Sequence, residues 1–260
     1  MSTSPRTGSV AAPVARAIGA LTALELRLLA RRGENVLATI IIPVAVLLFF
    51  AGTSVIPLAT RPVDFILPGA IALGIIAAGL VNLGIATAYD RSYGVLKRLG
   101  GSPLPRWGLI AAKLLAVGVL ELIQVVVLVA VAVVALGWTP GPNWAPQLVI
   151  VAIVLGTAAF AGLGLLLAGT LRAEAVLALA NALFLAFLML GGIILPIDHL
   201  PGFLQAIAAV LPANALSLLL RAGLDSGGAG AAVSIQEPLW VLAAWAAFAV
   251  LLAVRRFRWE

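Results

Sequence analysis

Glu121 and Gln124 stand three residues apart inside a stretch that is otherwise free of charge from Leu114 to Leu171. On a helix that spacing puts both side chains on one face. A charged group in the middle of a hydrocarbon layer costs about 2.5–3.5 kcal/mol on insertion scales, so Glu121 must face protein, water or a partner chain. Two roles fit it: lining a polar route or a dimer contact, or being tied to a basic group or amide on a neighbouring helix. Asn82 and Asn181 are amides in similar apolar surroundings. Buried amides commonly do no more than tie helices together.

Other chemistry is sparse. The single histidine, His199, follows Asp198, a pair that could touch a metal or simply cap a helix. There are no cysteines, which excludes disulfides, thiolate metal sites and iron–sulfur ligation. A phosphate-binding loop needs glycines leading into Gly-Lys-Ser/Thr, so that backbone amides and the lysine hold the phosphates. The two lysines, Lys97 and Lys113, sit in Leu-Lys-Arg and Ala-Lys-Leu contexts, and neither fits. The sequence therefore predicts no bound cofactor, no metal and no ATP hydrolysis by this chain itself.

The elements that would hold these residues are long and apolar. The chain has 260 residues, 63% of them hydrophobic and 10% charged, which is incompatible with a water-soluble domain. Apolar runs predict transmembrane helices over residues 36–58, 65–89, 109–137, 147–170, 175–195 and 238–254, since about 20 residues cross the hydrocarbon core. With the N-terminus inside, fourteen of the 16 lysines and arginines fall on the inner side, leaving only Arg61 and Arg221 outside. That bias predicts cytoplasmic termini. The pI near 11 reflects these span ends rather than a nucleic-acid patch.

Three other segments carry information. In residues 13–32, Val14, Ile18, Leu21, Leu24 and Leu28 recur at helical spacing, with Arg16, Arg27 and Arg31 on the other side, which predicts an amphipathic interfacial helix. Glu25 and Arg32 lie near its apolar face and should pair with each other or with a neighbour. Residues 90–99 predict a short helix stopped by Gly100-Gly101, Pro103 and Pro105, a knob projecting Tyr93, Leu96 and Leu99. Between the fifth and sixth runs, Gly191-Gly192, Pro196 and Pro201 interrupt the backbone. Residues 203–211 are apolar but too short to span, and Pro212 opens another short helix, so the region reads as a re-entrant hairpin.

Together, the strings GENVLATIIIPVAVLLFFAG, GVLKRLGGSPLPRW and GGIILPIDHLPGFLQAIAAVLPANALSLLLRAGL resemble the ABC-2 type permeases, the membrane subunits of ATP-binding-cassette exporters, including the daunorubicin-resistance type. The resemblance covers essentially the whole chain. It implies a single all-α transmembrane domain over residues 1–260, with a cytoplasmic N-terminal segment (1–35), a coupling loop (90–107) and an external hairpin and loop (196–237). Gly94, Leu96, Lys97, Arg98, Leu99, Ser102, Pro103 and Arg106, with Asp90 and Arg91 before them, would form the region that meets a P-loop ATPase subunit. Pro196, Asp198, His199, Leu200, Pro201 and Leu211-Pro212 would form the hairpin. Where relatives often carry an acidic-basic-acidic run, this chain has Asp90-Arg91-Ser92 and lacks the second acid. The resemblance also implies a second permease copy, lipid contacts, ATP and Mg bound only by the partner subunit, and a bacterial plasma membrane. An ATP-independent carrier would call for matched inverted repeats with paired broken helices. A lipid-modifying enzyme would call for clustered acid–base groups. Reversing the charges of Lys97 and Arg98 should impair assembly with the ATPase subunit or coupling to it while leaving membrane insertion intact, as read by co-purification beside a membrane-fraction assay.

Overall fold

A computed structural model describes residues 14–31, 33–53, 61–100, 105–224 and 234–256. Every regular element among them is helical. In chain order these are α1 (Val14–Arg31), α2 (Gly33–Gly52), α3 (Pro62–Ile76), a π turn (Ala77–Leu83), α4 (Gly84–Ser92), α5 (Val95–Gly100), α6 (Arg106–Leu136), α7 (Pro146–Thr170), α8 (Ala173–Leu190), a 3-10 turn (Ile197–His199), α9 (Gly202–Val210), α10 (Pro212–Leu224) and α11 (Gln236–Arg256).

Five helical rods are long and apolar enough to cross a membrane: Pro62–Ser92, Trp107–Leu136, Pro146–Thr170, Ala173–Leu190 and Gln236–Arg256. In α2 the described apolar part, Thr39–Gly52, is shorter, and residues 54–58 of the expected first span lie outside the described residues. The pair α9 and α10 is bent by 78° at Leu211, where Pro212 cannot continue a helix from the preceding turn. Local sequence sets several of these ends. Pro62 and Pro146 start α3 and α7, where proline's missing N–H costs nothing. Gly137 ends α6 in a left-handed conformation (φ 62°), and the Trp138 amide donates back to the Ala132 carbonyl at 3.0 Å.

The core is centred on α3. Every residue from Val63 to Ile76 is buried, with α2, α6, α7 and α10 against it. The rod continues through the π turn and α4 along α7, and the two backbones nearly touch. A Cβ on Gly79 would lie 2.7 Å from the Ala161 amide nitrogen, and one on Gly164 would lie 2.5 Å from the Gly79 carbonyl oxygen. The small-residue run of residues 156–169 in α7 thus does what its composition suggests, allowing close approach. On its other side, α7 carries α11 and α10.

Two features depart from a plain reading of the sequence. The second apolar run is not one regular α-helix: the π turn inserts wider hydrogen bonding at Ala77–Leu83 and rotates α4 relative to α3. The helix expected over residues 90–99 is broken. The rod carries on to Ser92, and Gly94 turns left-handed (φ 72°) before α5 begins at Val95. Gly79→Ala should lower thermal stability in detergent by about 1–3 kcal/mol through overpacking. Gly118→Ala, where an added Cβ meets nothing within 4 Å, should not.

Candidate functional site

Four helices meet at the end of the bundle that carries α1 and α5. Gly94 turns the chain out of the α4 rod before α5 begins at Val95. Leu96 becomes fully buried in a small apolar cluster with Leu21 of α1 and with Leu109 and Ala112 of α6, flanked by Ile18. The expectation that Leu96 projects outward is therefore wrong: a six-residue helix crossing α6 has one apolar side, and the cluster claims it. Tyr93 does project, at 75% exposure, and stacks on Tyr89 with ring centroids 6.0 Å apart.

Beside this cluster lies Lys113, 1% exposed and two turns into α6. Its Nζ is 2.8 Å from Glu25 Oε1 on α1 and 3.5 Å from Asp90 Oδ2 on α4. A buried ammonium is tolerable only with its charge matched, and two carboxylates from two elements do so here. Glu25 thus finds the protein neighbour its position calls for, while Arg32 lies outside the described residues. Thr22, next to Leu21, places its hydroxyl 3.4 Å from the Ala112 carbonyl. At the same end, the Arg91 guanidinium donates to the Leu171 carbonyl and ties α4 to the turn before α8.

A cavity of ≈ 50 Å³ opens behind the ion pairs, walled by Leu28 and Leu29 of α1, Thr39 of α2 and Asn82 of the π turn. Asn82 donates to Thr39 Oγ1 at 2.5 Å, so this amide ties two helices. Asn82 and Thr39 also border a larger groove of ≈ 190 Å³ with Pro43, Asn181 and Phe184. Asn181 is exposed on α8 and donates to its own helix at the Leu177 carbonyl.

Glu121 and Gln124 point inward, at 0% and 2% exposure. The Thr157 hydroxyl hydrogen-bonds Glu121 Oε2 across the α6–α7 contact and also sits 2.8 Å from the Ile153 carbonyl. Gln124 fills the notch at Gly74, where a Cβ would lie 1.5 Å from its Nε2, and neither end of its amide has a partner among the described residues. Glu121 and Gln124 therefore sit between α3, α6 and α7, apart from the groove of Asn82 and Asn181.

At the opposite end, Ser217 and Arg221 of α10 reach the turn after α8. Ser217 Oγ is 2.7 Å from the Gly191 carbonyl, and the Arg221 guanidinium donates to the Gly192 carbonyl while lying 3.9 Å over the Phe65 ring. The charge pattern marks Arg221 only as an exterior charge, yet it is 5% exposed. Lys113 is likewise hidden among the inner-side charges. Its one signal is its place inside an apolar run, with carboxylates elsewhere left to match. Asp198 and His199 lie exposed in the 3-10 turn, followed by Pro201 at the start of α9, and Gln205 donates to the Asp198 and Leu200 carbonyls. Pro196 precedes that turn, and Pro212 is buried at the head of α10. Of the other expected coupling residues, Lys97 is exposed on α5. Ser102 and Pro103 lie outside the described residues, as do the side chains of Arg98, Leu99 and Arg106.

The architecture defines a multi-pass helical membrane protein in which Lys113 and Arg221 are paired or hydrogen-bonded toward opposite ends of the rods and Glu121 is hydrogen-bonded midway along α6. The profile of the ABC-2 type transporter family matches residues 16–223, and the chain belongs to that family of transport permease subunits. It is also 40% identical over 77 residues to the linearmycin resistance permease protein LnrN of Bacillus subtilis (strain 168), a stretch that covers 29% of this chain and only 20% of that permease.

Thr157→Val should destabilise the detergent-solubilised protein by about 1–3 kcal/mol, because it leaves Glu121 without its hydrogen-bond partner. Thr157→Ser, which keeps the hydroxyl, should cost much less; thermal unfolding of the three proteins side by side checks this.

Proposed function

We propose that this chain is the permease half of an ATP-driven exporter, moving a hydrophobic or amphiphilic compound outward with ATP hydrolysed on a separate subunit. The observation that carries the reading is the corner where α5 emerges from the α4 rod and seats against α1 and α6. A short helix held at its start by a left-handed glycine and by buried Leu96 is a stiff element on which an ATPase subunit can push. Lys97 and Tyr93 are its exposed polar and aromatic contacts, and the arginine-rich loops support a cytoplasmic position for this end. In this reading α2, the α3–α4 rod, α6, α7, α8 and α11 are the six spans. The bent pair α9–α10 is the outward hairpin, and α1 lies along the inner membrane interface, with Val14, Leu24 and Leu28 each at least 40% exposed to lipid.

A second permease copy fits the faces left uncovered. α2 and α8 show large apolar side chains (Ile41, Ile42, Phe49, Leu185 and Met189) around the exposed Asn181. The groove holding Thr39, Asn82 and Asn181 would then open onto the space between the copies and supply polar points along an apolar route. Closure of the ATPase subunits would tilt the spans as rigid bodies and carry an amphiphile toward α9–α10.

Drugs, lipids and glycolipids all suit such a route. The resistance named for the Bacillus subtilis permease puts linearmycin on the panel to be tried. Co-expression with a P-loop ATPase encoded beside this chain should yield a stable complex whose ATP hydrolysis is stimulated by at least one amphiphile on that panel. Purification of the chain with no ATPase subunit bound, under conditions that preserve the membrane fold, would overturn the reading.

A further inference from the structure

We infer that Lys113 is a clasp that makes α1 and the α4–α5 corner a single moving body. Its purpose rests on the permease reading above, whereas its existence does not.

Three observations carry it. Lys113 is almost wholly buried, and its two carboxylate partners come from elements far apart in the chain: Glu25 on α1 and Asp90 on the last turn of α4. α1 lies along α6, but its fully buried apolar surface is confined to one side chain. Leu21 is its buried residue, while Leu24 and Leu28 are 47% and 41% exposed. Glu25 lies one turn beyond Leu21 on the same face, so an apolar and an ionic contact with α6 sit side by side. Finally, the cavity beside Leu28 and Leu29 leaves space on that flank of α1.

The corner is attached to the same two points. Leu96 of α5 touches the Leu21 cluster, and Asp90, four residues before the left-handed Gly94, holds Lys113. A push on α5 therefore reaches α1 through the apolar cluster that Leu96 and Leu21 share with α6, and through the chain Asp90–Lys113–Glu25. Removing the lysine charge leaves two carboxylates facing each other and separates the two helices. Lys113 acts through its neighbours, as a positioning residue.

The chain has no cysteine, so spin-label pairs can be introduced without background. Leu24→Cys with Tyr93→Cys reports α1 against the corner, and Leu24→Cys or Tyr93→Cys with Trp144→Cys reports each against the far end of the bundle; all three sites are about half exposed or more. Pulsed electron-spin distances would be measured in phosphatidylcholine–phosphatidylglycerol nanodiscs, first without nucleotide. The Leu24–Tyr93 distribution should be single and narrow in the parent, broaden in Lys113→Met, and stay narrow in Lys113→Arg. Glu25→Gln, which cuts only the α1 arm, should broaden it too and serves if Lys113→Met does not fold. An unchanged distribution in the charge-removing variants overturns the clasp, and this comparison needs no ATPase subunit. In the complex trapped with vanadate, the Leu24–Trp144 and Tyr93–Trp144 distances should shift together in the parent. In Lys113→Met the first shift should be lost and the second retained, an effect that general destabilisation would not produce. Retention of both shifts overturns the inference.

Discussion

Gly79 on the π turn and Gly164 on α7 bring two helix backbones almost into contact, and the rest of the bundle is arranged around that approach. Helices gain little by hiding from lipid, because hydrocarbon tails are as apolar as leucine. Association rests instead on van der Waals packing, which small residues maximise by letting backbones close in. The α3–α4 rod and α7 use this device along their shared length. The other helices add to the pair: α2 and α6 against the rod, α11 against α7, and α10 wedged between them. Faces of α2, α6, α8 and α11 stay uncovered.

Charge obeys a second constraint of the same solvent. A polar group removed from water must find a partner inside the protein. Lys113 and Arg221 meet the demand in different ways. The compact ammonium of Lys113 takes two carboxylates. The planar guanidinium of Arg221 has no carboxylate partner among the described residues, and it uses the Gly192 carbonyl and the face of Phe65 instead. Its delocalised charge is more weakly hydrated and stacks well, which makes that possible. Each buried cation fastens a break in helical structure, the Gly94 corner at one end and the Gly191-Gly192 turn at the other.

This separates the polar residues into distinct jobs. Glu121, Thr157 and Gln124 lie within the contact of α3, α6 and α7, where the first two join α6 to α7 and Gln124 fills the notch at Gly74. Asn82, Thr39 and Asn181 border a groove that reaches the uncovered faces. The proposed transport route thus draws on the second set, and the proposed coupling corner on Lys113 and its partners.

Much of this was legible in the residues. The apolar runs between charged loops mark the long helices, because only an uninterrupted apolar stretch can satisfy its backbone in hydrocarbon. The third apolar run ends at Gly137 as its pattern indicates, because a left-handed glycine stops a helix locally. The inward turn of Glu121 came from the cost of exposing a carboxylate to lipid. The π turn at Ala77–Leu83 was not legible, since Ala-Ala-Gly-Leu-Val-Asn-Leu reads as ordinary helix and nothing local marks the wider turn. The burial of Leu96 was equally hidden, because it depends on where Leu21 arrives from another part of the chain. The sequence by itself determined which segments are helical and apolar, because those properties depend on neighbours along the chain. Only the tertiary structure decided which charges meet, since Glu25, Asp90 and Lys113 become partners through the crossing of three helices that no local pattern encodes.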